Sequence, residues 1–184
     1  MTPRGRRDTD FAMDGTEKQA DWKDAEALLE ACRRAGCVCA TAESCTGGLI
    51  GGAITAIPGS SEFYKGGIVS YSNEAKASLL GVRQETLSEH GAVSSECAGE
   101  MAAGACKALN ADCAVAVTGI AGPGGGTAMK PVGLVFIASI RKGRAPTVTR
   151  NVFSGDREEV RRQTVGTALS QLTAEILLAI PDEN

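Results

Sequence analysis

A single histidine, His90, serves a chain of 184 residues, and that scarcity excludes a good deal. A metal centre with two or three imidazole ligands cannot be built from one copy, and any triad that needs an imidazole must use His90. Its place just ahead of Gly91 is accounted for by a helix C-terminus, where a partial positive charge is welcome. Aromatic residues are nearly as rare, with one Trp, two Tyr and four Phe, and 19 Lys plus Arg against 22 Asp plus Glu leave a net charge of −3. Reading nucleic acid takes a basic stripe with stacking rings, so no direct nucleic-acid contact is expected. No stretch approaches the ~18 apolar residues of a membrane span, so no membrane association is expected either. The opening MTPRGRRDTDFAMDGTEKQ lacks the apolar run of a secretory leader, which points to the cytoplasm.

Standard nucleotide motifs are also missing. There is no Gly-Lys dipeptide, hence no Walker A loop; Gly122–Gly126 does not fit G-x-G-x-x-G, and Ser44 does not sit in G-x-S-x-G. ATP hydrolysis and dinucleotide binding therefore have no support. The seven cysteines are odd in number and never form C-x-x-C. A zinc site would need thiolates converging from scattered segments, so the cysteines are expected as reduced, small core residues, with no metal and no cofactor.

What is present is patterned. Residues 1–20 have no periodicity and read as a disordered extension, leaving 21–184 as one domain. From Trp22, Ala25, Leu28, Leu29 and Cys32 share a helical face that closes at Gly36. The spacing then predicts a buried strand over Cys37–Ala42, a helix over Thr46–Ala56 and a strand over Tyr64–Ser72. Asn73 is the expected cap of a short helix, Glu74–Leu80, followed by a helix over Arg83–His90 and, from caps at Ser94 and Ser95, one over Glu96–Leu109. Strands are expected at Asp112–Val117, Val132–Ile140 and Thr147–Phe153. Asp156, with Glu159 three residues on, opens a last helix whose apolar face is Val165, Ala168, Leu169, Leu172 and Ile176. The alternation implies an α/β fold, a three-layer α/β/α sandwich. The short Arg-Lys-Gly-Arg connection makes its central sheet mixed, though mostly parallel.

Two strand ends run into small and polar residues: Ala42-Glu43-Ser44-Cys45-Thr46-Gly47-Gly48 and Thr118 to Gly126. Ligands of open α/β sheets bind where such turns converge, although each is also readable as a plain tight turn. Ser44, at the strand-to-helix corner, is either a nucleophile or a simple helix cap. With histidine so scarce, its base would be a carboxylate or a lysine of lowered pKa. Lys76 at position N3 behind an Asn73 cap would be disfavoured as a cation by the helix dipole and by partial burial, the alternative being a solvated loop lysine. Arg157, in the first turn of the last helix, suits an anionic ligand or an exposed ion pair.

Six segments occur in one order: Ala42 to Gly48, Tyr71-Ser72-Asn73-Glu74-Ala75-Lys76, Gly91-Ala92-Val93-Ser94, Thr118-Gly119-Ile120-Ala121-Gly122-Pro123, Lys130-Pro131-Val132-Gly133 and Phe153-Ser154-Gly155-Asp156-Arg157. Together they resemble the C-terminal domain of the bacterial competence- and damage-inducible CinA proteins, over about Asp21 to Ile180. The resemblance implies a three-layer fold and metal-free hydrolysis of nicotinamide mononucleotide to nicotinic acid mononucleotide and ammonia. It also implies a Ser/Lys pair, carried here by Ser44 and Lys76. Around that pair the expected substrate-binding residues are Glu43, Thr46, Gly47, Gly48, Tyr71, Asn73, Thr118, Gly119 and Arg157. Tyr71 and Thr118 would orient the pair or the carboxamide. The phosphate would rest on Thr46-Gly47-Gly48 or the Gly119–Gly126 loop, with Arg157 supplying charge. Thr127-Ala128-Met129 departs from the family pattern, and residues 1–20 match nothing in it. The partners expected are a small-molecule nucleotide and a second copy of the chain, a dimer first. The competing reading is a non-enzymatic accessory protein in competence or DNA damage, acting through protein contacts.

Overall fold

The computed structural model describes residues 18–178, with side chains from residue 23. The five strands are β1 (Cys39–Glu43), β2 (Tyr64–Val69), β3 (Cys113–Gly119), β4 (Leu134–Arg141) and β5 (Thr147–Val152), and they form one sheet in the order β2-β1-β3-β4-β5. β1 is parallel to both β2 and β3, while β4 is antiparallel to β3 and β5. Four strands therefore run one way and β4 alone runs back, the mixed sheet expected from the short connection at Arg141–Arg144.

Side chains alternate across a pleated sheet, so successive residues of β1 and β3 feed different cores. Cys39, Cys113, Val115 and Val117 face one layer, made of α1 (Lys18–Ala35), α2 (Leu49–Thr55) and α6 (Arg157–Leu177). Ala40, Ala42, Ala114 and Ala116 face the other, where α3 (Asn73–Leu80), α4 (Gln84–Glu89) and α5 (Ser95–Ala108) lie. Much of that second interface is built from short side chains, with Ala98, Ala102 and Ala105 of α5 fully buried against the sheet beside the longer Met101. α5 also carries Gly104, where an added Cβ would meet the Leu80 carbonyl oxygen at 2.0 Å. Glycine is what lets the end of α3 approach α5 this closely.

Several boundaries differ from the sequence expectation, each for a local reason. α2 begins at Leu49 rather than Thr46 because Gly47 and Gly48 hold positive φ values of 64° and 103°, which keep the chain in a turn. The cap of α3 is Ser72, not Asn73: its hydroxyl accepts from Ala75 N at 3.1 Å. Lys76 is consequently one position deeper in the helix than the expected N3. Only half of the expected capping box at α6 forms. Asp156 accepts from Glu159 N at 2.9 Å, but Glu159 turns its carboxylate to Arg162. The extension expected over 1–20 falls outside the described residues except for its last three, which begin α1. Among the described residues, no helix is long and apolar enough to cross a membrane.

Candidate active site

Because β1 and β3 lie side by side and point the same way, the segments leaving their carboxyl ends open onto one crevice, the usual ligand position in such sheets. Ser44 is the first residue past β1, and its N–H is held by the Val117 carbonyl at 3.1 Å. Opposite it, α3 presents Lys76, whose side chain is only 1% exposed. Lys76 Nζ lies 3.0 Å from Ser44 Oγ and donates to the Ser70 carbonyl at 2.8 Å. Among the described residues no carboxylate is within ion-pair range of this amine. Burial away from water pushes its pKa below the ordinary lysine value, since the charged form loses its hydration without gaining a counter-ion. Of the two causes expected from the sequence, burial and the helix-dipole position, burial is the leading one.

Cys45, beside Ser44, is no competing nucleophile. Burial pushes its thiol up to about 11, so it stays protonated near neutrality. Cys97 under α3 is likewise raised to about 11 by burial. Neither thiol therefore supplies an anion that would hold Lys76 protonated.

Glu43 sits where the turn needs an acceptor. It is 1% exposed, and its Oε2 accepts from Thr46 Oγ1 at 2.7 Å, Gly48 N at 2.9 Å and Ile50 N at 3.1 Å, while Oε1 accepts from Gly51 N at 2.8 Å. α2 has no acidic residue in its first turn, and its N-cap, Gly48, has no side chain to offer. Glu43 thus satisfies the orphan amides of a helix that begins six residues later. Glu43, expected among the substrate-binding residues, is engaged by the turn that positions Ser44. The same bonds engage the Gly48 N–H and the Thr46 hydroxyl. Gly47 N donates to the Ser44 carbonyl at 3.2 Å.

The crevice has a volume of about 280 Å³ and is lined by Ser44, Tyr71, Asn73, Lys76, Thr118, Gly119 and Arg157 among others. Thr118 Oγ1 donates to the Ala92 carbonyl at 2.7 Å, bracing the β3 end against the loop before α5. Tyr71 is 65% exposed at the rim. Arg157 crosses the mouth, donating to the Gly122 carbonyl at 2.9 Å and to Tyr71 Oη at 3.4 Å. Beyond Arg157 and Ala121 opens a larger groove of about 1150 Å³ between α2 and the start of α6. His90 caps α4, with carboxylates of Glu89 and Glu96 at 3.9 Å, and does not line the crevice.

Two further contributors are not evident in the sequence. Arg161 reaches from α6 to the Thr46 carbonyl at 2.8 Å and steadies the turn after Ser44. Its position one helical turn beyond Arg157 was the available signal. The Ser70 carbonyl, which anchors Lys76, is a backbone group that no side-chain pattern reports.

Residues 22–176 match the CinA C-terminal domain family. The nicotinamide-nucleotide amidohydrolase PncC of Escherichia coli strain K12 is 49% identical over 152 residues, covering 83% of this chain and 92% of that protein. A CinA-like protein of Citrifermentans bemidjiense is 48% identical over 161 residues, which are 88% of this chain but 38% of that longer one. The crystal structure of the competence/damage inducible protein CihA from Agrobacterium tumefaciens superposes with a TM-score of 0.82 at 46% identity, covering 84% of this chain and 94% of that one. With matching motifs, a matching fold and relatives close to half identical, the chain belongs to the CinA C-terminal domain family.

Proposed function

We propose that this protein hydrolyses the carboxamide of nicotinamide mononucleotide, releasing ammonia and nicotinic acid mononucleotide, with Ser44 as nucleophile and Lys76 as its base. The observation that carries this reading is the 3.0 Å contact between a buried, unpaired lysine and a serine at the end of a central strand. The nearly full-length similarity to a nicotinamide-nucleotide amidohydrolase supports the choice of substrate.

In the reactive state Lys76 is neutral. One N–H donates to Ser70 O, which aims the lone pair at the Ser44 hydroxyl. As Ser44 Oγ bonds to the carboxamide carbon, its proton passes to Lys76. The resulting oxyanion is met by N–H groups of the Cys45–Thr46 turn, which donate to no other backbone group among the described residues. Lys76 then returns the proton to the departing nitrogen, leaving an acyl-serine and ammonia. Water, activated by the same amine, completes hydrolysis to the carboxylate. Arg157, at the mouth, supplies the positive charge that a nucleotide phosphate seeks.

The test is ammonia release from nicotinamide mononucleotide by the wild type, Ser44→Ala and Lys76→Ala. Loss of a positioned base costs roughly 10²–10⁴-fold, and loss of the nucleophile at least as much. A folded variant of either kind with near-parental turnover overturns the assignment. Self-association is carried forward as part of the proposal: light scattering should give twice the chain mass.

A further inference from the structure

At the opposite end of β1 from Ser44, cysteines from three separate segments converge. Cys32 comes from α1, Cys37 and Cys39 flank the start of β1, and Cys113 opens β3. The sulfurs of Cys32, Cys37 and Cys113 all lie within 4.8 Å of one another and all three residues are buried. We propose that these three thiols, with Cys39 beside them, form a binding site for a soft closed-shell cation of the Zn²⁺ or Cu⁺ type, separate from the reaction centre.

The geometry fits such an ion with little movement. A Zn–S bond of ~2.3 Å in a tetrahedral site places sulfurs ~3.8 Å apart, so three sulfurs inside 4.8 Å are already near the required triangle. Cys39, the register partner of Cys113 on the same face of the sheet, flanks these three sulfurs. The donor set contains no imidazole and no carboxylate, and pure thiolate selects soft cations over Mg²⁺ or Ca²⁺.

The backbone holds the sulfurs together independently of any ion. Cys37 N donates to the Cys32 carbonyl at 3.1 Å across the end of α1. Between Cys37 and Cys39, Val38 is pinned to the head of β3. Its N–H donates to Asp112 Oδ2 at 2.9 Å, and its carbonyl accepts from Asp112 N at 2.9 Å and Cys113 N at 3.2 Å. Cys39 and Cys113 are direct partners in the β1–β3 register. These bonds fix the ligands in advance, so ion binding does not have to order them.

Charge is balanced as well. Three thiols lose their protons to solvent on coordination, and three thiolates with one divalent cation sum to −1. Arg141 lies opposite Cys113 in the β3–β4 register, which brings a cationic residue to this end of the sheet. The site is ~16 Å from Ser44, five strand residues away, so it is a structural centre and supplies no group to the reaction.

The test is metal uptake by the whole chain, purified under reducing conditions. After exposure to Zn²⁺ and passage over a weak chelating resin, elemental analysis should find about one equivalent retained, with a raised melting temperature. Cys37→Ala and Cys113→Ala should fall to background, while Cys106→Ala, whose buried thiol lies in the other layer, should retain the ion. Co²⁺ provides a readout on the unmutated chain: sulfur-to-cobalt charge-transfer bands with tetrahedral ligand-field bands are expected, and they decide the matter even where a variant misfolds. No retention of Zn²⁺ or Cu⁺ by the reduced wild type overturns the proposal. So do Co²⁺ spectra without sulfur bands, or retention unchanged in both variants.

Discussion

Removing the Glu43 carboxylate is expected to unseat the turn that carries Ser44, and the cost follows from its hydrogen bonds. Glu43→Ala strands four donors: the Thr46 hydroxyl and the amides of Gly48, Ile50 and Gly51. A buried donor left without a partner costs about 1–3 kcal/mol. Some relief comes from water entering the space the side chain vacates, so the expected loss is about 4 kcal/mol rather than the full sum. At about 2–4 °C per kcal/mol for a domain of this size, the melting temperature should fall by roughly 8–16 °C. Glu43→Gln keeps the shape. Its amide oxygen can take the three donors now on Oε2, but its NH₂ group then faces Gly51 N–H, donor against donor. One lost bond and weaker, uncharged acceptance at the others give about 2–3 kcal/mol, an intermediate melting temperature. Thermal and urea unfolding followed by circular dichroism measure the series, alongside ammonia release. A Glu43→Ala variant that melts within about 2 °C of the parent would refute this structural role. A Glu43→Gln variant with full stability but no turnover would instead place Glu43 on the substrate.

Further outcomes follow from the same geometry. Lys76 works as a base only when neutral, so kcat/KM should rise with pH through its lowered pKa and then level off, with Lys76→Arg inactive throughout. Because the folded state disfavours the charged amine, the unfolded chain binds more protons between the lowered pKa and the ordinary lysine value of 10.5. Stability should therefore rise with pH across that window, and Lys76→Met should flatten the rise in urea titrations at several pH values. Arg157→Ala removes a cation from the mouth of the crevice. A charged hydrogen bond of about 1.5–3 kcal/mol predicts KM for the mononucleotide raised roughly 10- to 100-fold with kcat little changed, and an unchanged KM would refute the phosphate role. Gly104→Ala drives a Cβ against the Leu80 carbonyl. It should cost about 1–3 kcal/mol and displace α3, lowering kcat more than binding.

The layers and most elements were legible because their signals are local: a 3.6-residue apolar period in α6, a capping serine at α5, and unbroken apolar runs in β3 and β4. Ser44 and Lys76 were reachable because their motifs travel together, and the scarcity of histidine turned attention to an amine. What stayed hidden depends on distance in space. Glu43 looked like a ligand-facing carboxylate because its partners, Gly48, Ile50 and Gly51, are backbone amides that carry no residue signature. The cysteines looked like scattered core material because nothing in the spacing of Cys32, Cys37 and Cys113 reports that α1 ends where β1 and β3 begin. The deeper placement of Lys76 turned on which of two adjacent capping residues, Ser72 or Asn73, accepts the Ala75 amide.

The alanine interface between sheet and α5 has a further consequence. Alanine has no rotamers, so Ala40, Ala42, Ala114 and Ala116 on one side and Ala98, Ala102 and Ala105 on the other cannot absorb a disturbance by repacking. Among the residues that α5 buries, Met101 alone has a long side chain to repack, so the gap between the two layers is closer to a rigid spacer than to a spring. Ser44 belongs to the sheet, whereas Lys76 rides on the helical layer held against it, so their separation is a gauge block cut to the thickness of that seam. Positioned groups lose about 10²-fold in rate for a 1 Å misplacement. The turnover of this protein is thus a sensitive ruler for the spacing of two layers that make almost no chemical contribution of their own.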